Sequence, residues 1–312
     1  MVRRRFIKLV LPVLLLMVTG LWVTYRTMLA APPSSGPFPN PNGYDDIIEA
    51  GKLLPAHEDL KGFEQWETRQ LQVCISSNAP ALALVRRGLA KKCRVKTKYT
   101  EEYMSYHIYE GMYTKDLQTL LAIEASLAAR EGRMNDALNA NLDGVHLGYE
   151  YMRGGLLIDA LIGSAIISSA MHSILGMLPH LDAAACKDAA RTLEKLFQQR
   201  EPVESIRAHE RAWIQTSANV IDRLGVRLKL GAMNQALESA AVSEAGFQER
   251  WAEFQTAMLA IAGRAYQLEK GRPPGTVADL VPDYLTAVPK DVITGKPLPL
   301  PPPELLPVTS SK

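Results

Sequence analysis

The chain predicts an all-α fold, an N-terminal transmembrane helix followed by an irregular helical array. Three observations carry that expectation. Apolar residues recur at intervals of three and four through most of the chain, the period of a helix with one buried face. Strand-like alternation is scarce, with Cys93–Lys98 the clearest instance, and a lone strand has nothing to pair with. A basic tip, an apolar run and a proline-rich spacer open the chain in that order, the layout of a membrane anchor carrying a separate domain.

Arg3, Arg4, Arg5 and Lys8 precede a charge-free run from Leu9 to Tyr25, and Arg26 follows it. About 17 to 20 apolar helical residues cross a bilayer core, so the run is near the short limit. Lys8 and Arg26 can extend their charges to the two interfaces, and Trp22 and Tyr25 fall where an aromatic belt would lie. The positive-inside rule keeps the tip cytoplasmic and sends the rest outward. The expected location is the inner (cytoplasmic) membrane, single pass, with an extracytoplasmic main domain. A cleaved signal peptide is the competing reading. Cuts after Ala30 or Ala31 would place Met28 or Leu29 where a small residue is needed. Both readings export the domain.

The expected organisation is then a tip and anchor over residues 1–30, a linker over 31–43, a helical domain over 44–271, a tail segment over 272–297 and a disordered proline-rich end over 298–312. Leu117, Leu120, Leu121, Ala125 and Ala128 mark one helix, ended by Glu131-Gly132-Arg133. Met134, Ala137, Leu138, Leu142, Val145 and Tyr149 mark the next. The pair reads as a tetratricopeptide-like hairpin, with no second copy at the roughly 34-residue period of such arrays. Leu156 to Leu178 is apolar nearly all round, with Asp159 its only charge, so it must be buried in protein or in lipid. Gly163, Ser164, Ser168, Ser169, His172 and Ser173 favour protein, and a central buried helix is expected. Further helices follow over Asp182–Gln199, Val203–Leu224 and Ala245–Lys270, the last with Trp251, Phe254, Met258, Ile261 and Ala265 on one stripe.

No constellation specifies a reaction. The formal net charge is +2, too balanced for a dedicated nucleic-acid binder. Three cysteines, Cys74, Cys93 and Cys186, are too few and too scattered for a disulfide framework. The six histidines show no metal-ligand spacing, and there is no nucleophile elbow, phosphate loop or dinucleotide fingerprint. No catalytic residue, metal or cofactor is therefore expected. The nearest approaches to an acid–base pair are His107 with Glu110, and Glu204 with His209 and Glu210.

The candidate binding residues form a basic run followed by a tyrosine stripe. Arg86, Arg87, Lys91, Lys92, Arg94, Lys96 and Lys98 occur with no acidic residue among them. Tyr99, Tyr103, Tyr106, Tyr109 and Tyr113 then recur at spacings of three and four, as on one helix face. Tyrosines suit packing against a partner or stacking on a sugar, and the cations suit anionic lipid, anionic polysaccharide or acidic protein. The alternative is a solvated basic face beside tyrosines buried in the core. Single-stranded nucleic acid fits the composition too, but an exported domain rarely meets it. The leading expectation is a membrane-anchored scaffold or adaptor, without catalysis, for an envelope protein or an anionic envelope polymer. An envelope hydrolase with a site assembled from dispersed His and Glu, and an accessory part of a secretion or pilus-like system, are the alternatives.

After the last helix come Arg272-Pro273-Pro274-Gly275, Leu280-Val281-Pro282-Asp283-Tyr284-Leu285, Val288-Pro289-Lys290-Asp291 and Thr294-Gly295-Lys296-Pro297. This order resembles the tail of type II secretion pseudopilins. Pro273 stands where that pattern has tyrosine, Val292 where it has proline, and the N-terminus lacks the pilin-type start. Over most of its length the chain resembles a group of uncharacterised, membrane-anchored helical proteins of planctomycete-type bacteria. That likeness rests on the anchor and linker, Asn42-Gly43-Tyr44-Asp45-Asp46, Cys93-Arg94-Val95, Ala128-Ala129-Arg130-Glu131-Gly132-Arg133 and Gly154-Gly155-Leu156-Leu157-Ile158-Asp159-Ala160. It implies an architecture and brings no catalytic residues.

Overall fold

The computed structural model describes residues 17–22, 37–55, 57–98, 100, 102–217, 242–292 and 294–301. Helix α1 (Gly43–Lys52) is capped by Asn42, whose side chain accepts the Tyr44 N–H at 3.2 Å. Two 3₁₀ turns, His57–Leu60 and Phe63–Gln65, lead to α2 (Thr68–Ser77) and α3 (Ala79–Leu89). The long helices α4 (Tyr103–Arg130) and α5 (Met134–Met152) form a hairpin. It turns at Gly132, whose φ of 76° suits glycine. Then come α6 (Leu157–Met177), α7 (Ala183–Gln198), α8 (Val203–Ser217) and α9 (Val242–Lys270). These bounds agree with the periodicity to within a few residues. The continuation of α8 towards Leu224 lies outside the described residues.

The described residues contain no strand, only an isolated antiparallel bridge between Lys290 and Pro297. The alternating Cys93–Lys98 segment is an extended strap instead. Its Val95 N–H donates to the Arg153 carbonyl (2.9 Å), its Thr97 hydroxyl donates to the Gly154 carbonyl (3.0 Å), and Asn42 brackets the backbone of Arg94 (2.8 and 2.9 Å). The backbone of Arg94 and Val95 and the Thr97 hydroxyl are thus held by the turn between α5 and α6 and by the cap of α1, with no ladder required.

Two cores result. Ile47, Leu82, Val85, Leu117, Leu120 and Leu121 are buried together where α1, α3 and α4 meet. A larger core gathers α5, α6, α7 and α9 around Tyr149, Ile174, Leu193, Phe254 and Ile261. Between them, α5 and α6 cross closely at Gly148 and Gly163, with the side chains of Ile167 and Met152 packed over the two glycines. A Cβ at Gly148 would lie 2.7 Å from the Gly163 carbonyl oxygen, and one at Gly163 would lie 2.5 Å from the Gly148 carbonyl oxygen. Helix α6 is buried on one side only, which modifies the expectation of a fully covered central helix. It is long and apolar enough to cross a bilayer; Ile166, Ile167, Ala170 and Ile174 face the core, while Leu161, Ala165, Ser168, Ser169 and His172 stand exposed on the open side. The hydroxyls and imidazole among these match water better than acyl chains.

The tail is part of the core. Val277, Leu280, Tyr284 and Leu285 are buried in the larger cluster, and the Tyr284 hydroxyl donates to Glu269 at 2.5 Å. Glu194 of α7 accepts from the Thr286 N–H (2.8 Å), the Thr286 hydroxyl (2.8 Å) and the Ala287 N–H (3.3 Å). Leu298 and Leu300 still pack on this core and Pro301 is buried. Residues 302–312 lie outside the described residues.

Gly163→Ala should destabilise the protein by about 1–3 kcal/mol through overpacking, read by chemical denaturation. Gly176→Ala in the same helix, where a Cβ would meet nothing within 4 Å, should be neutral or stabilising by about 0.5–1 kcal/mol.

Candidate functional site

The tyrosine stripe does not remain on one face. A step of three residues falls about 60° short of a full helical turn, so successive steps of three walk the side chains around α4. Tyr103 is buried and stacks on His107 at 4.5 Å. Tyr106 and Tyr109 are 73% and 55% exposed. Tyr113 is half-buried, with its Cβ and Cα against Gly51 of α1. Tyr99 lies outside the described residues. The stripe is therefore divided between interior and surface, with Tyr103 in the core and Tyr106 and Tyr109 facing outward. The outward face is completed by Ile108 and Met112, 53% and 49% exposed.

The basic run is largely neutralised by helices distant in sequence. Arg86 binds Glu124 of α4 (2.5 Å) and Asp143 of α5 (2.8 Å). Arg87 (2.7 Å) and Lys91 both reach Asp46 of α1, and Lys96 pairs with Asp45 (2.6 Å). Arg94 lies over the Phe38 ring at 5.8 Å. Lys92 and Lys98 are the exposed members with no carboxylate partner among the described residues. A stretch without acidic neighbours in sequence thus has four acidic neighbours in space.

Behind the exposed tyrosines lies a buried polar cluster built on His107. Its Nδ1 bonds Glu110 one turn on (2.8 Å), and its Nε2 bonds Asp159 of α6 (2.6 Å). Asp159 also accepts the Leu156 N–H at 2.7 Å, capping α6. Tyr44 of α1 donates its hydroxyl to Glu110 at 2.7 Å. Tyr103 covers one side of the imidazole, and Tyr151 stacks near-parallel with it at 6.4 Å. Burial opposes a charged imidazole, but the hydrogen bonds and charges of Asp159 and Glu110 outweigh that and lift His107 to about 9. Burial likewise opposes the Glu110 carboxylate, and His107 and the Tyr44 hydroxyl overcome it, holding Glu110 below its usual range. Burial, with the charges of Tyr151, Glu110 and Asp159, pushes the Tyr44 phenol well up.

This is an Asp–His–Glu arrangement, yet the side chains of His107 and Asp159 are 1% and 0% exposed. A substrate cannot reach either, so the cluster ties α1, α4 and α6 together. The pairing of His107 with Glu110 is legible from the sequence, whereas Tyr44, Tyr151 and Asp159 are not. The available signal was Asp159 itself, the sole charge in an apolar helix and placed at its N-terminal turn.

The second anticipated group is dispersed. Glu210 accepts the Leu157 N–H at 2.9 Å, and burial pushes its carboxyl up. Glu204 is exposed elsewhere on α8, and burial lowers His209. Among the described residues no group of three or more His, Cys, Asp or Glu side chains could hold a metal. No protein-family model, curated protein or solved structure matches the chain.

The folded-state value of His107, about 9, lies above the ordinary histidine value of about 6.5. Its contribution is thus full below pH ~6.5 and lost as pH rises through ~9. Denaturation between pH 6.5 and 10 should show a loss on the order of 3 kcal/mol. His107→Gln should be less stable at neutral pH and show a flatter profile across this window.

Proposed function

We propose that the protein is a membrane-anchored, extracytoplasmic scaffold that docks a partner protein on the outer face of the first three turns of α4. The observation that carries this reading is the adjoining exposure of Tyr106, Ile108, Tyr109 and Met112 on a helix whose opposite face, with Tyr103 and His107, is already buried. A helix already buried on one side that exposes aromatic and aliphatic side chains on the other calls for a second covering layer, and tyrosine and methionine are enriched in protein interfaces. A protein is favoured over an anionic polymer because Asp45, Asp46, Glu124 and Asp143 already occupy Arg86, Arg87, Lys91 and Lys96. Cations engaged in this way offer a polyanion little free charge. The α4–α5 hairpin would serve as a tetratricopeptide-like support for the docking face.

The anchor reading rests on the sequence, a basic tip before a charge-free apolar run of near-spanning length. The basic tip then sets the orientation.

With a photo-crosslinking amino acid at Tyr106 or Tyr109 of the full chain in native membranes, a discrete adduct to another protein is expected from both positions. None should arise from Glu204. Equal labelling at all three positions would overturn the docking face. Independently, a compartment-sensitive reporter fused after Lys312 should report an extracytoplasmic location, and a cytoplasmic signal would overturn the topology.

A further inference from the structure

The extended strap carries its charge on one side. Successive side chains of an extended backbone point to opposite faces. Cys93, Val95 and Thr97 are accordingly buried, while Lys92, Lys96 and Lys98 are exposed and Arg94 is half-buried. Cations thus stand in a row on the outward side of one segment, about 7 Å apart.

That charge is only partly met. Asp45 pairs with Lys96, and Asp46 is shared by Arg87 and Lys91. Among the described residues, Lys92, Arg94 and Lys98 have no carboxylate within ion-pair distance. The row therefore keeps a positive charge that the protein itself does not balance.

The strap lies where the chain enters the domain. The Gly43 N–H donates to the Lys92 carbonyl at 3.0 Å, and Asn42 brackets the backbone of Arg94. Phe38, just ahead of them, is 40% exposed, with the Arg94 guanidinium 5.8 Å from its ring. If the anchor ends near Arg26, residues 27–36 extend at most about 3.6 Å each, which keeps Phe38 and the strap within about 40 Å of the bilayer.

Tethering at that range gives the row a high effective concentration against one surface, so a few free cations suffice. A soluble polyanion has no such tether and meets the same few charges alone. Headgroups of anionic phospholipid present a flat field of negative charge to an exposed basic row. An exposed aromatic ring beside that row can enter the boundary between headgroups and acyl chains. We propose that the strap lies on anionic phospholipid headgroups of the anchoring bilayer, with Lys92, Arg94 and Lys98 supplying charge and Phe38 supplying apolar contact. The inference rests on the anchor reading and deepens it, by fixing which side of the domain faces the membrane.

The test places a fluorescent amino acid at exposed Asn40 of the full chain, reconstituted in vesicles that contain a headgroup-labelled acceptor lipid. Energy transfer should rise when phosphatidylglycerol is mixed into phosphatidylcholine, and high salt should reverse the rise. Lys92→Gln with Lys98→Gln should remove most of it, whereas Lys92→Arg with Lys98→Arg should keep it. Both positions are exposed, and the salt arm needs no variant at either. Flotation with pure phosphatidylcholine vesicles after an alkaline wash reports the anchor alone. Its absence would overturn the anchor reading and this inference with it. Flotation with transfer indifferent to phosphatidylglycerol and salt would overturn this inference only, as would a rise that survives the glutamine pair. Binding of soluble alginate, lost in the glutamine pair and without any response to phosphatidylglycerol, would assign the strap to a polysaccharide instead.

Discussion

The close crossing of α5 and α6 at Gly148 and Gly163 is the constraint on which the remaining geometry depends. Each glycine presents bare backbone to the carbonyl of the other, so the two axes approach more closely than side chains would permit. That approach presses one side of α6 onto the core and leaves the opposite side open. It also sets the start of α6 beside α4, where Asp159 meets His107. A methyl group at either glycine would push against backbone atoms of the partner helix, which cannot move aside as a flexible side chain can.

The buried charges are intelligible once this placement is fixed. An isolated imidazolium or carboxylate in the interior would be strongly unfavourable, but His107 has an acid on each ring nitrogen and Asp159 also caps the helix that carries it. Tyr44 completes Glu110 from α1. Removing one member would strand the others, and for that reason such clusters specify a single arrangement of helices more than they add net stability. Tyr103 and Tyr151 flank the imidazole, and His107 and Asp159 are closed off from the surface while Glu110 remains partly exposed. The Asp–His–Glu pattern is chemically suggestive, but accessibility makes it a latch.

The surface carries two faces of opposite character. The start of α4 exposes aromatic and aliphatic groups on top of the latch, an arrangement that leaves apolar area to be covered. The groove between α4 and α6 exposes hydroxyls and an imidazole with little charge. Neither face uses the basic run, in which Arg86 ties α3 to α4 and α5 while Arg87, Lys91 and Lys96 bind the acidic start of α1. Exposed pairs of this kind contribute little stability individually, and together they leave Lys92 and Lys98 as the uncompensated charges of the run.

The all-helical class, the α4–α5 hairpin, the placement of most helices and the pairing of His107 with Glu110 were determined by local sequence, because helical periodicity, turn glycines and i,i+3 neighbours are properties of short segments. The distribution of the tyrosines between interior and surface was decided by tertiary structure. The 60° drift per three-residue step is readable, but which sector faces α1 and α6 is not. Tertiary structure also decided the neutralisation of the basic run by Asp45, Asp46, Glu124 and Asp143, the docking of the tail on α7 and α9, and the partners of His107. Each of these joins residues far apart in the chain, and such contacts depend on how helices pack, information that a one-dimensional pattern of apolar and polar residues does not contain.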